Sequence, residues 1–300
     1  MNEQIKWITR YDKAIDLLPP NLRAAARFLS EADKAQAEEF RLRTGYLPTV
    51  LLPGGERTLG QIAAGERELT AVLEIVSAAS VHAVQDSLKQ GYITAKGGYR
   101  VGFGGRVTAQ HNTVTGFQNL SSVVIRISKE YHGAADAILP QIIKNGNLRS
   151  ALILSPPGGG KTTILRDIIR QCAARQRIAV ADERGEISAL AGGVPQMEIG
   201  AHTDVLVGCP KAEAVLMLLR TMNPEVVAMD EITAPADTLA LESAANCGVT
   251  LLATAHALDE NDLLRRPMYQ SLLQRNLFER IVTITQRGGQ RQYSVAEVGA

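Results

Sequence analysis

Residues 151–163 read Ala151-Leu-Ile-Leu-Ser-Pro-Pro-Gly-Gly-Gly-Lys-Thr-Thr163, an apolar run that leads into a glycine-rich loop. Successive glycines let the backbone curl until several N–H groups face one anion. A helix that begins near Lys161 adds the positive end of its dipole to the same place. The stretch therefore predicts a phosphate-binding loop between a strand and a helix.

The loop indicates ATP and Mg²⁺ as ligands, because the Lys161 ammonium can reach the β- and γ-phosphates and the Thr162 hydroxyl can ligate the metal. One position departs from the pattern G-x-x-x-x-G-K-[ST], since Ser155 stands where the first glycine is expected. That position shapes the turn, and we expect a small serine to suffice. The predicted nucleotide-binding residues are Ser155, Pro156, Pro157, Gly158, Gly159, Gly160, Lys161, Thr162 and Thr163.

A second apolar run, Val226–Met229, ends in the two acids Asp230 and Glu231, where a parallel strand would emerge beside the phosphate loop. Asp230 fits the Mg²⁺-linked carboxylate of P-loop enzymes. Glu231 is placed to orient or deprotonate an attacking water, which favours an ATPase over a small-molecule kinase. The alternative is a buried strand with two carboxylates that serve only as caps.

Between these motifs lies Ile178-Ala-Val-Ala-Asp-Glu-Arg-Gly-Glu186, a third apolar run that ends in acids. We expect its strand to lie between the two motif strands. Asp182 is a predicted Mg²⁺ ligand and Glu183 a catalytic candidate, because clustered carboxylates repel one another unless a cation is near. The alternative is a solvated loop in which Arg184 forms a salt bridge.

A fourth apolar run, Val249–Thr254, is followed by Ala255 and His256. If the run is a core strand, His256 lies on the catalytic edge of the sheet and is a candidate sensor of the γ-phosphate, together with Thr254. A lone histidine is more often structural, and that alternative stays open.

The spacing of apolar residues predicts an α/β protein with two domains. Residues 1–130 combine helical patterns with short glycine-punctuated strands, including 99–103 and 106–109, and are predicted to form an α+β domain. Residues 131–147 read as a connecting helix. From 148 to 300, strands alternate with helices, which indicates a mostly parallel sheet covered by helices and ending in an antiparallel hairpin.

Composition narrows the function classes. The formal net charge is only +1, and no basic, aromatic-interleaved stretch occurs, which counts against a nucleic-acid partner. No run reaches the ~18 apolar residues that a bilayer-spanning helix needs. We therefore expect a soluble or peripheral protein that reaches a membrane only through a partner or a surface helix, and the three widely spaced cysteines suggest the reducing cytoplasm as its compartment.

Taken in chain order, at 151–163, 178–186, 226–231 and 249–256, the four runs resemble the Walker A, aspartate, Walker B and histidine boxes of the secretion ATPase superfamily, the hexameric motors of type II and type IV secretion. The sequences between the boxes, above all 97–107, 204–213 and 219–225, are similar to a sporulation branch of that superfamily. The resemblance implies a RecA-like P-loop NTPase domain and a homohexamer with ATP bound at subunit boundaries. It also implies arginines that act across those boundaries, for which the candidates are Arg100, Arg106, Arg126 and Arg220.

The same resemblance implies a place and partners in the cell. It suggests an ATPase at the inner face of a membrane, on the mother-cell side of the forespore, that energises a channel or secretion complex. The implied partners are membrane proteins of that complex, among them the product of the adjacent gene of the operon. Two other functions remain open, a nucleic-acid-dependent ATPase and an ATP-binding scaffold with little turnover.

Overall fold

A computed structural model of the chain describes residues 3–77, 85–89, 91–110, 113–287 and 290–298, and its contacts divide the chain into two units. The first unit consists of Met1–Lys129 with Ala189–Gln196, and the second of Glu130–Ser188 with Met197–Ala300. No sequence pattern had marked the segment Ala189–Gln196, which belongs with the first unit although it interrupts the second. The mixed α/β class is confirmed by the two large sheets.

In the first unit, the described strands form an antiparallel sheet in the order β3-β2-β1-β6-β5-β4. Apolar side chains on one face of these strands pack against the helices, as Phe40 does against Tyr11 with ring centroids 5.1 Å apart. The elements are α1 (Glu3–Ile15), α2 (Pro20–Arg27), α3 (Glu31–Gln36), β1 (Glu39–Arg43), β2 (Thr49–Leu52), β3 (Gly55–Thr58), α4 (Glu66–Val76), α5 (Gln85–Lys89), β4 (Tyr92–Ala95), β5 (Tyr99–Gln110) and β6 (Thr113–Arg126).

The glycine-rich stretch of this unit differs from the prediction. The two short strands expected at 99–103 and 106–109 are one strand, β5, which pairs with β6 through irregularities at Gly104/Gly105 and two later points. A side chain at Gly105 would overlap the backbone oxygen of Asn119, so glycine is required by the close approach of β6. Residues 78–84, between α4 and α5, and residue 90 lie outside the described residues.

The connecting helix predicted at 131–147 is wrong. This segment contains turns, a four-residue helix α6 (Leu139–Ile142) and a small hairpin of β7 (Ile143–Lys144) and β8 (Asn147–Leu148). Gly133 adopts a left-handed conformation (φ 79°), which interrupts a helix at its start. Ala135, Ile138 and Ile142 are buried in the core of the second unit, so the segment is part of that unit.

In the second unit, seven described strands pair in the order β11-β10-β12-β13-β9-β14-β15. Neighbouring strands are parallel except for the last pair, β14 with β15. The remaining elements are β9 (Ala151–Ser155), α7 (Lys161–Cys172), β10 (Ile178–Asp182), β11 (Thr203–Val207), α8 (Lys211–Thr221), β12 (Val226–Met229), α9 (Pro235–Asn246), β13 (Thr250–His256), α10 (Glu260–Leu264), α11 (Pro267–Gln274), β14 (Arg280–Arg287) and β15 (Gln290–Glu297).

The order of the strands corrects one prediction. The strand that lies between β9 and β12 is β13, whereas β10 lies on the far side of β12. Short apolar strands of similar length look alike in the sequence, so the sequence does not reveal their order in the sheet. That order is decided by which strands pair. The edge strand β11 was not predicted, because half-exposed strands lack the continuous apolar run of central ones. The expected terminal hairpin is β14–β15, whose turn at Gly288-Gly289 lies outside the described residues.

Helix α7 fixes the phosphate loop to the sheet. Its apolar residues Ile164, Leu165, Ile168 and Ile169 are fully buried in one core with β9 and β14.

None of the helices within the described ranges has the length and apolar character that a bilayer-spanning segment needs.

We expect Leu165→Ala to lower the free energy of unfolding by about 2–5 kcal/mol, because it leaves a cavity between α7 and the sheet. Leu239→Ala is the matched control, since Leu239 on α9 is 60% exposed, and its effect should stay within about 0.5 kcal/mol. Urea unfolding monitored by circular dichroism measures both. Equal losses for the two variants would contradict the packing described here.

Candidate functional site

The loop between β9 and α7 has the shape of an anion cradle. Gly158 and Gly160 have left-handed conformations, with φ of 75° and 95°, which residues with a Cβ rarely adopt. Gly160 is the N-cap of α7, and Lys161 is the first residue of the helix, as the sequence predicted. Backbone N–H groups at a helix start lack partners inside the helix, and they favour a bound anion.

Ser155, the departure from the loop pattern, is completely buried at the end of β9. Its hydroxyl donates to the carbonyl oxygen of Pro156 at 2.7 Å. A methyl group at Gly159 would overlap the Ser155 Oγ and lie 2.9 Å from the Ser155 Cβ. The serine therefore fills the space beneath the loop, and Gly159 must stay without a side chain.

Lys161 lies inside the site with only 6% of its surface exposed. Its ammonium donates to the carbonyl oxygen of Ser155 at 3.2 Å and to Nδ1 of His256 at 2.7 Å. Burial lowers the pKa of Lys161, and the charges of Asp230 and Glu231 oppose that shift. The two carboxylates thus favour the charged lysine that a phosphate ligand needs.

His256, at the end of β13, connects the lysine to the glutamate. An ammonium group only donates, so Nδ1 must accept, and the proton of the neutral ring then lies on Nε2. Nε2 is 3.3 Å from Oε1 of Glu231. The structure therefore aligns Lys161, His256 and Glu231, which come from three different parts of the chain.

Asp230 is held by two hydroxyl groups. Thr162 donates to its Oδ2 at 2.8 Å, and Thr254 donates to its Oδ1 at 2.7 Å. Thr254 is fully buried in β13, and its hydroxyl also accepts the backbone N–H of Glu231 at 2.8 Å. The end of β12 is thereby tied both to the start of α7 and to β13.

Glu231 has a left-handed backbone with φ of 55°, an uncommon conformation for a residue with a side chain. Its N–H is bound by Thr254, and its carbonyl oxygen accepts from the Lys211 ammonium at 2.6 Å. Strained residues of this kind cluster at functional sites. The conformation turns the side chain toward His256.

Lys211 is a residue that the sequence did not single out. It starts α8, and its ammonium also binds the Thr233 hydroxyl at 3.0 Å and lies 3.7–3.8 Å from carboxylates of Glu183 and Asp237. It lines an open cleft together with Asp182, Glu183, Arg184, Glu186, Asp230 and Glu231. The sequence signal that could have pointed to Lys211 is a lysine after Pro210 at the start of a helix. Such a pattern is too common to indicate a functional site.

Asp182, the predicted Mg²⁺ ligand, is already engaged by four protein donors in this structure. Oδ1 accepts from the backbone N–H groups of Glu186 and Ile187, and Oδ2 accepts from the N–H and hydroxyl of Ser188. A carboxylate has about four lone-pair positions. Burial raises the pKa of Asp182, and these hydrogen bonds oppose the shift. Asp182 therefore caps the turn 183–188, whereas Glu183 is exposed at the rim of the cleft.

The remaining predicted residues lie away from this group. Thr163 lines a separate pocket of the second unit with His132 and Arg170. Arg220 is exposed in the last turn of α8, nine residues and about 13 Å along the helix from Lys211, and so is not part of the cluster around Glu231.

The other three predicted arginines belong to the first unit. Arg100 lies over the Tyr92 ring at 3.7 Å, and Arg126 pairs with Glu39 at 3.3 Å. Arg106 is exposed on β5, opposite Asn119.

Comparisons with known proteins agree with the sequence resemblance. The family model described as "Sporulation stage III, protein AA" matches residues 10–294. Stage III sporulation protein AA of Bacillus subtilis (strain 168) is 34% identical over 280 residues, which cover 91% of each chain.

Two solved structures share the fold at low sequence identity. The pilus retraction motor PilT with bound ADP has a TM-score of 0.61 and 15% identity, covering 88% of this chain and 80% of PilT. The ATPase DotB of Legionella pneumophila has a TM-score of 0.55 and 15% identity, covering 88% and 77%. At this identity the likeness concerns the fold alone.

The contact between Ser155 and Gly159 predicts a specific coupling. Gly159→Ala should lower the free energy of unfolding by about 1–3 kcal/mol through overpacking. In Ser155→Gly/Gly159→Ala the clash with the serine disappears, so the double variant should be more stable than the sum of the single changes by about 1 kcal/mol or more. A double-mutant cycle by urea unfolding measures this term, and strict additivity would show that the loop does not pack as described.

Proposed function

The chain belongs to the sporulation stage III, protein AA family, and from this premise we propose that it binds MgATP and hydrolyses it. The observation that carries the proposal is the convergence of Lys161, Asp230, Glu231 and His256 at the phosphate loop. These side chains follow three parallel strands, and the carboxyl ends of such strands are where α/β proteins bind ligands. The likeness to secretion ATPases supports a RecA-like P-loop domain for the second unit.

Phosphate binding would use the loop N–H groups and Lys161. The lysine now donates to Ser155 and His256, and these two contacts are replaceable by phosphate oxygens, which are stronger acceptors for an ammonium. Because the Lys161 ammonium is nearly buried, its interaction with an anion is weakly screened by water.

Thr162 and Asp230 are the residues that would hold Mg²⁺. Their oxygens are 2.8 Å apart, and hydroxyl and carboxylate oxygens suit this hard cation, which commonly binds one or two protein ligands together with substrate phosphates. When bound, Mg²⁺ supplies positive charge that neutralises the phosphates during transfer.

Glu231 is the proposed general base. Its carboxylate is half-exposed in the cleft, and its backbone is held in a strained conformation that keeps the side chain beside His256. A carboxylate in this position accepts a proton from water or orients the water for attack on the γ-phosphate.

His256 is proposed to report whether Lys161 is engaged by phosphate. In the present arrangement its Nδ1 accepts from Lys161 and its Nε2 faces Glu231. If Lys161 turns to a nucleotide, Nδ1 loses its donor, and the ring becomes free to change its contact with the glutamate. Thr254, in the same strand, binds both Asp230 and Glu231. A movement of Glu231 would therefore also be felt by β13.

At the level of the cell, we propose a motor that energises a membrane complex between mother cell and forespore, from the cytoplasmic face of the membrane. The sporulation relative and the fold shared with a pilus retraction motor support this role. A homohexamer with membrane-protein partners, including the product of the adjacent gene, is the proposed assembly. Arg100, Arg106, Arg126 and Arg220 remain the candidates for contacts across subunit boundaries.

Lys161→Ala should abolish measurable ATP binding, because it removes the buried cation at the loop. Isothermal titration calorimetry with MgATP measures the effect, and Lys144→Ala, an exposed lysine of the same unit, is the matched control. Equal ATP affinity in Lys161→Ala and the unchanged protein would refute the assignment of the loop.

Glu231→Gln should retain ATP binding and lower the hydrolysis rate by about 10²–10⁴, the usual contribution of a general base. Phosphate release measures the rate, and Glu213→Gln, an exposed residue of α8, controls for the lost charge. A variant that hydrolyses ATP at the parental rate would exclude Glu231 as the base. Binding without turnover in the unchanged protein would indicate a nucleotide-gated scaffold instead.

A further inference from the structure

Arg291 lies on the terminal hairpin and was not a predicted site residue. It stands directly opposite Gln286 in the β14–β15 ladder. Thr283 of β14 is level with Leu154 of β9, so Gln286 and Arg291 lie about two residues, or ~7 Å, beyond the last residue of β9. The hairpin therefore extends past the sheet edge on the side where the phosphate loop emerges.

The face on which Arg291 lies is fixed by the alternation of the strand. Residues 291, 293 and 295 share one face of β15, and Tyr293 and Val295 pack against the core that contains α7. The same face of β14 carries Val282 and Ile284, which are buried there. Arg291 is the next position of this row, and it projects toward the beginning of α7.

The guanidinium of Arg291 rests on Gly160. A methyl group added at Gly160 would lie 2.9 Å from the Arg291 Cζ, 3.0 Å from Nη2 and 3.2 Å from Nε. The missing side chain at Gly160 leaves room for this approach, while its left-handed φ of 95° is what favours glycine there. Within the part of the chain that the structure describes, the Arg291 side chain makes no hydrogen bond or ion pair and is exposed.

An unpaired guanidinium at this place has a clear electrostatic consequence. It lies at the positive end of α7 and one residue from Lys161, so three sources of positive potential meet at the loop. The charges of Asp230 and Glu231 act on Lys161, whereas no carboxylate among the described residues pairs with Arg291. The planar fork of arginine matches phosphate oxygens and is suited to two parallel hydrogen bonds.

We propose that Arg291 is a second cationic ligand of the bound nucleotide and contacts its diphosphate portion from the same chain. The proposal rests on the nucleotide site described under the proposed function and adds a ligand from the edge of the sheet. Because the contact is to the diphosphate, Arg291 strengthens the binding of ADP as well as of ATP.

The experiment compares dissociation constants of MgADP and of inorganic pyrophosphate, measured by calorimetry, for the unchanged protein and for Arg291→Ala. We expect both ligands to bind about tenfold more weakly in the variant, which corresponds to about 1.4 kcal/mol. Arg291→Lys should recover part of the loss for both ligands, since it restores the charge without the fork. Arg175→Ala, at another exposed arginine beyond the opposite end of α7, should leave both constants unchanged.

Three outcomes would overturn the proposal. Unchanged affinities in Arg291→Ala, with binding lost in Lys161→Ala, would leave the nucleotide site standing and exclude Arg291 as a ligand. Weaker binding of MgADP alone, with pyrophosphate unaffected, would place Arg291 on the base or ribose. Failure of the unchanged protein to bind either ligand would refute the nucleotide site itself. Thermal unfolding of each variant checks that the hairpin is intact, and Arg291→Lys keeps the test valid if Arg291→Ala is unstable.

Discussion

The carboxylate of Asp230 joins the parts of the second unit on which the site depends. Thr162 at the start of α7 and Thr254 in β13 donate to its two oxygens at 2.8 and 2.7 Å. Hydrogen bonds to a charged group contribute about 1.5–3 kcal/mol each. Because β13 lies between β9 and β12, the bond from Thr162 fastens the start of α7 to a strand that is not adjacent to β9, and the bond from Thr254 ties β12 to the strand between them.

Thr254, which holds Asp230, also supports the strained backbone of Glu231. A left-handed backbone at a residue such as Glu231 costs about 1–3 kcal/mol. The Thr254 hydroxyl, the Lys211 ammonium and the His256 ring bind its N–H, its carbonyl oxygen and its carboxylate, respectively. Together these contacts are large enough to offset the strain, so the side chain is held in place before any ligand binds.

Asp182 and the loop that follows it connect the sheet of the second unit to a segment of the first unit. The Asp182 carboxylate accepts hydrogen bonds from residues 186–188. The segment Ala189–Gln196, which belongs to the first unit, follows immediately. In that segment the Gln196 side chain accepts the N–H of Gly97 at 2.6 Å. Asp182 therefore holds the turn that immediately precedes this segment.

The sequence by itself determined the strand, the glycine loop and the helix around Lys161, because local spacing and glycine content dictate that geometry. It also determined the acids and the histidine at strand ends, since an apolar run followed by polar residues marks the edge of a buried sheet. The tertiary structure decided which residues meet. It set the order of β10, β12 and β13 and the donors that fill the oxygens of Asp182. It also brought Lys211 to Glu231 and Arg291 to Gly160. These depend on pairing and packing between residues far apart in the chain, which no local pattern records.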